Sequence, residues 1–233
     1  MIPLHLKTTE FTEPAAPLYY LVAANGMFLV KKSALFASIT SAPSVPALAR
    51  QSESLRLSFP KIPRRILEPV YGFFCEVYRK WDGEAIVLLY YSPEQETFRV
   101  GVPPQTLFRY RRCGEWRTEM RLTYGHYPRP EGFLKLGDAH SHGDMPAFFS
   151  YTDDRDDRED GLRITIGRLD RRTPDISASF VVSGTRFLLK PEETLEGFSA
   201  PLTPPRQWLK QVTCQYEEET APQSCPGPNG RPA

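Results

Sequence analysis

The stretch that decides how this chain is read is His140-Ser141-His142-Gly143-Asp144-Met145-Pro146-Ala147-Phe148-Phe149-Ser150-Tyr151-Thr152-Asp153. One residue separates His140 from His142, so on a strand both imidazoles point to one face and suit a single small cation, while Ser141 points the other way. The run from Phe133 to Ala139 leads into His140 as a strand. That places the pair at a strand's carboxyl end, where open α/β sheets build their sites. A helix starting after this loop would carry Ser150 at its cap and Asp153 at its third position. Asp154, Asp156, Asp157, Glu159 and Asp160 follow in the first turns, where negative charge complements the helix dipole. That acidic run reads as a solvated helix face ending at Gly161, in preference to a second metal site. Alone, Ser150-x-x-Asp153 is an ordinary capping box; beside His-x-His the two readings merge, since a capping residue can still face a metal.

His-x-His by itself has rivals. Metallo-β-lactamase-like hydrolases use His-x-His-x-Asp-His, which His140-Ser141-His142-Gly143-Asp144 matches until Met145 breaks it. Such enzymes, and amidohydrolase barrels, need further histidines downstream. This chain has only His5, His126, His140 and His142. Its four cysteines, at 75, 113, 214 and 225, form no Cys-x-x-Cys pair, which disfavours a sulfur-rich metal site and suits free thiols in a reducing compartment. Asp144 and His126 are further candidates for groups that touch a ligand or a substrate.

The spacing His-x-His, seven residues, Ser, two residues, Asp resembles the JAB1/MPN/Mov34 metalloenzyme (JAMM) motif of zinc isopeptidases, and every motif position is filled. The resemblance implies that His140, His142 and Asp153 hold Zn2+ with the fourth position left to water, and that Ser150 donates to the oxyanion. It also requires an acid far upstream, at the start of a strand that follows a helix. Glu84 stands there in Asp82-Gly83-Glu84-Ala85-Ile86-Val87-Leu88-Leu89-Tyr90-Tyr91 and takes the role of general base. The segment 138–154, with Gly161 and Ile166-Gly167-Arg168 after it, is similar to the PRTRC system protein A group, encoded on bacterial plasmids and integrative elements beside a ThiF/E1-like protein. The eukaryotic branch has proline after its second histidine, and Gly143 departs from that in the loop, not in the ligands.

What the resemblance implies for fold is an α/β domain over roughly residues 61–197, a JAB/MPN-type mixed β-sheet flanked by helices (cytidine deaminase-like). For function it implies a zinc-dependent isopeptidase or peptidase cleaving after the C-terminal tail of a ubiquitin-like protein, with that protein or its conjugates and E1/ThiF-like components as partners. Two other classes stay open: a non-catalytic MPN-type scaffold, and a peptidase in sulfur-carrier processing.

The chain has 233 residues and a net charge of +1, enough length for one domain with extensions and no electrostatic case for nucleic acid or an anionic membrane. Arg109, Arg111, Arg112 and Arg117 cluster, but Glu115 and Glu119 are interleaved with them. No apolar run approaches a membrane span and the N-terminus lacks the order of a signal peptide, so the expected location is cytoplasmic. Residues 1–60 read as a β-rich N-terminal extension: a loose arm over 1–16, then two β-prone runs around Asn25-Gly26, a hairpin signal, then a strand over 55–59. A helical pattern from Pro63 repeats through Ile66, Val70, Phe73, Phe74, Val77 and Trp81, with Pro69 either kinking it or marking its first turn. Strands are expected over 85–91 and 97–102, one or two more up to Tyr124, then 162–167, 176–182 and 186–189. Residues 198–219 form a C-terminal segment with a short amphipathic helix using Trp208, Leu209 and Val212. Residues 220–233, rich in Pro, Gly, Ser and Asn, are expected to be a disordered tail.

Overall fold

The computed structural model describes residues 2–46, 48–112, 115–149 and 159–218, with the backbone alone over 111–112, 115–121 and 217–218. The chain divides into two compact units, Met1–Leu55 and Arg56–Ala233. The first is a four-stranded sheet of β1 (Leu4–Leu6), β2 (Leu18–Ala23), β3 (Gly26–Lys32) and β4 (Ala37–Ser41), in that spatial order. Alternation puts Tyr19, Leu21 and Val30 on one face, where they form the unit's buried cluster with Phe11, Ala16 and Phe28 against it. The β2–β3 hairpin closes with Ala23 opposite Gly26. Its turn is therefore Ala24-Asn25, one residue earlier than the Asn-Gly dipeptide predicts. Part of the expected loose arm is strand β1, paired in parallel with β2; three residues are too few for alternation to reveal. The strand expected over 55–59 is absent, and that segment runs without ladder pairing.

In the second unit, α1 (Arg64–Trp81) continues through Pro69. Proline in a helix forfeits one backbone hydrogen bond, and here the apolar stripe compensates: Leu67, Val70, Phe73, Phe74 and Val77 are all fully buried. They pack in one cluster with Val87 and Leu89 of β5 (Ile86–Ser92), Ala139 of β9 (Leu134–Ser141) and Leu162, Ile164 and Ile166 of β10 (Gly161–Gly167). These strands belong to a six-stranded mixed sheet, which also contains β6 (Thr97–Gly101), β11 (Asp175–Val182) and β12 (Thr185–Leu189), in the order β12-β11-β10-β9-β5-β6. Only β9 and β10 are parallel neighbours; the other pairs are antiparallel. Every residue of β5 and of β10 is buried, as central strands covered on both faces should be. On the other side of β5 from α1, Leu88 and Tyr90 pack with Phe133, and Tyr127 lies against them.

A second, three-stranded sheet joins β7 (Gln105–Arg112), β8 (Glu115–Tyr124) and β13 (Val212–Glu218) in the order β13-β7-β8. Here the expectation for the C-terminal segment is corrected. The helix there is a single turn, Arg206–Leu209, and Val212 begins a strand parallel to β7. Another one-turn helix spans Pro191–Thr194. The expected helix after Ser150 and the tail over 220–233 lie outside the described residues. Among the described residues no helix is long and apolar enough to cross a membrane.

Candidate functional site

The alternation of β9 sends His140 away from the α1 side of the sheet, and His142 follows immediately past the strand's end. Their Nε2 atoms are 3.2 Å apart. Nitrogens at two corners of a tetrahedron with arms of about 2.0–2.1 Å stand about 3.3–3.4 Å apart, so the pair is spaced for one zinc-sized cation. Nδ1 of His142 faces the carbonyl oxygen of Pro146 at 3.3 Å. Donation of that N–H leaves the lone pair on Nε2, the tautomer a metal ligand needs. The ring of Phe148 meets the His142 ring edge-on, with centroids 4.8 Å apart. Thr165 Oγ1 lies 3.3 Å from His140 Nε2. Thr165 is itself fully buried and sits opposite His140 in the parallel β9–β10 register.

Main-chain bonds hold the loop after His142 onto the end of β10. The N–H of His142 donates to Ile166, that of Arg168 to Met145, and that of Leu169 to Gly143, at 2.9, 2.7 and 2.8 Å. Gly143 has φ of 55°, a left-handed value that the proline ring excludes, so this loop cannot follow the proline pattern of the eukaryotic branch. Where a Cβ on Gly143 would point stands the ring of Tyr78, from the last turns of α1. Burial, and after it the carboxylates of Asp144, Asp82 and Asp170, push the Tyr78 phenol above its ordinary value. Asp144 is exposed, and its backbone carbonyl accepts from Arg168 at 3.0 Å. His126 is exposed in the segment between β8 and β9.

Glu84 precedes β5, whose first residue, Ile86, pairs with His140. Two bonds extend that register: Ser141 N–H donates to the Ala85 carbonyl, and Ala85 N–H donates to Ser141 Oγ, both at 2.9 Å. The continuation brings Glu84 alongside His142. Glu84 is half-buried, and its Oε1 is a buried atom. The buried side chain of Gln105 closes the other side of Ile86, its Oε1 accepting from Ile86 N–H at 2.9 Å and its Nε2 donating to the Ile86 carbonyl at 3.0 Å. Two residues before His140, Asp138 faces Arg163 across β9 and β10 in a largely buried ion pair at 3.3 Å.

The structure thus brings together His140, His142 and the backbone next to Glu84. Ser150 and Asp153 lie outside the described residues. Among the described residues no third His, Cys, Asp or Glu completes a metal-holding group with the histidines. Ser141, Thr165 and Gln105 join the site without a sequence signal that assigns them to it. Alternation over 162–167 could have put Thr165 on one face, but the parallel pairing that sets it against His140 leaves no local signal.

No curated protein matches the chain. The solution structure of protein DSY2949 from Desulfitobacterium hafniense is similar at 13% identity over 67% of this chain and 93% of that one, with a TM-score of 0.37, too low to carry an argument. The sequence profile of prokaryotic homologs of the JAB domain matches residues 80–194, a span that opens just before Glu84 and takes in β5, β9 and β10. The chain, through that segment, belongs to the JAB domain family.

Proposed function

We propose that this chain is a JAMM-type zinc metallopeptidase whose metal is held by His140, His142 and Asp153. It would cleave the bond after the C-terminal tail of a ubiquitin-like protein, whether an isopeptide to lysine or a peptide to a short extension. The observation that carries the reading is the 3.2 Å separation of the two Nε2 atoms, with Nδ1 of His142 turned to a backbone carbonyl. Bound zinc supplies Lewis acidity, making a water nucleophilic and polarising a carbonyl at neutral pH. Glu84 accepts the proton of the attacking water on its carboxylate and returns it to the leaving amine. Ser150 donates its hydroxyl proton to the oxyanion, a contribution typically worth about 2.7–4 kcal/mol. The finer likenesses belong to the same proposal: cytidine deaminase-like layering of the domain, kinship with the PRTRC system protein A group, E1/ThiF-like partners, and a cytoplasmic setting.

The test combines metal analysis with hydrolysis. Purified protein should carry about one zinc per chain, lost in His140→Ala and in Asp153→Ala. Glu84→Gln should keep zinc and fold yet cleave nothing, because an amide does not accept the proton. The substrate is the ubiquitin-like protein encoded nearest the gene, fused through its C-terminus. Unchanged zinc in both ligand variants would sink the metal assignment. Cleavage by wild type and Glu84→Gln alike would remove Glu84 from its role, and no cleavage by the zinc-loaded wild type would put the non-catalytic scaffold ahead.

A further inference from the structure

The residue between the two histidines is also the one whose side chain reaches the peptide next to Glu84. Ser141 is fully buried, and its Oγ accepts the Ala85 N–H at 2.9 Å. That N–H lies in the same rigid peptide plane as the carbonyl of Glu84. Holding it fixes the backbone torsion that follows the Glu84 Cα, and with it the direction in which the carboxylate leaves the chain. No ladder bond does this job, because β5 begins only at Ile86. The Gln105 side chain holds Ile86, one residue further on. Ala85 is fully buried too, so without the hydroxyl its N–H would have no water to turn to, and the Glu84-Ala85 peptide would rotate in search of an acceptor. The backbone N–H of Ser141 completes the link by donating to the Ala85 carbonyl at 2.9 Å.

We infer that Ser141 is a positioning residue which, through its hydroxyl on Ala85 N–H, aims the Glu84 carboxylate at the face shared by the two imidazoles. The inference rests on the reading of Glu84 as the proton acceptor beside a metal held by His140 and His142. It gives the middle residue of His-x-His a function of its own. The backbone that presents both imidazoles also sets the base, so the two halves of the site move as one piece.

The test reads the site without needing a substrate. Full-length protein is loaded with cobalt(II) in place of zinc, and its visible absorption bands, which respond to the metal's surroundings, are recorded at one fixed neutral pH. The series is wild type, Glu84→Gln, Ser141→Ala, Ser141→Cys and the double variant Glu84→Gln/Ser141→Ala. Expected are equal cobalt stoichiometry throughout and a band change in Glu84→Gln. Ser141→Ala should show a change in the same sense, Ser141→Cys a smaller one because a thiol is a weaker acceptor, and the double variant a spectrum matching Glu84→Gln alone. That last non-additivity is what action through Glu84 requires. If Glu84→Gln changes the bands while Ser141→Ala leaves them at wild type, or if the double variant shows the sum of two separate changes, the inference is overturned and the proposed function stands. Should Ser141→Ala not fold, a wild-type spectrum in Ser141→Cys overturns it equally. If Glu84→Gln itself leaves the bands unchanged, the reading of Glu84 beside the metal fails, and the inference falls with it.

Discussion

A methyl group added at residue 167 would stand 2.3 Å from the carbonyl oxygen of Met145 and 2.5 Å from the amide nitrogen of Ala147. Both neighbours are backbone, so the loop after His142 must move to admit it. That loop carries the Pro146 carbonyl on which His142 Nδ1 rests. Gly167→Ala should therefore fold but weaken zinc binding by about 10–100-fold, the range found when a ligand histidine loses its outer partner. Competition against a chromophoric chelator measures it, and unchanged affinity would show that the carbonyl does not orient His142. At this scale the sequence is legible where the signal is local. His140 and His142 declare themselves because strand period puts them on one face. Gly167 does not, because its reason for being glycine is a loop more than twenty residues earlier in the chain. Thr165 and Gln105 are silent for the same cause: one meets His140 through parallel pairing, the other meets Ile86 through a side chain imitating a strand.

Helix α1 shows what a single element's pattern reveals and what it omits. Its stripe of Val70, Phe73, Phe74, Val77 and Trp81 is written at three- and four-residue steps and is the buried face; at its start the sequence pattern points to Ile66, whereas the fully buried residue is Leu67 and Ile66 is half-buried. Its other ties are to residues far along the chain. Glu68 Oε1 accepts from both the backbone N–H and the hydroxyl of Ser199, at 3.0 and 2.9 Å, and the Glu68 carbonyl accepts from Leu202 N–H at 3.1 Å. The backbone bond from Ser199, then its hydroxyl, hold the Glu68 carboxyl below its ordinary value. A carboxyl whose folded pKa is depressed binds its proton less readily folded than unfolded. Its contribution to stability is fully present above the ordinary carboxylate value of about 4.3 and is lost as pH falls through the lower folded one. Glu68→Gln keeps an oxygen acceptor and removes the charge. Melting curves of the two proteins should differ above the ordinary carboxylate value and converge as pH falls through the lower folded one; a gap that persists undiminished in acid would mean the carboxylate charge is not what ties Ser199. The C-terminal segment misleads at the same scale. Trp208, Leu209 and Val212 fall at helical spacing, yet the helix stops after one turn because 212–218 find a ladder partner in β7, and a backbone row of hydrogen bonds outweighs a short amphipathic stripe.

For the molecule as a whole, each of the two units contains a buried cluster. Among the described residues, Tyr19, Leu21 and Val30 form one cluster with Phe11, Ala16 and Phe28 against it, and the large cluster around α1 takes in residues from Phe59 onward. A unit with its own core and its own ladder pairing does not need another to close. Both histidines, Ser141, Glu84 and Gln105 all belong to the second unit, as does Asp153 by sequence. A chain beginning at Arg56 should accordingly unfold in one cooperative transition and bind zinc as tightly as the full-length protein, within about twofold. Calorimetry and the chelator competition measure the two properties side by side. If the shortened chain folds cooperatively yet loses zinc, residues before Arg56 take part in holding the metal, and the ligand set of His140, His142 and Asp153 is incomplete. If it fails to fold at all, the second unit needs residues before Arg56 to fold, and the first unit belongs to the fold that presents the site.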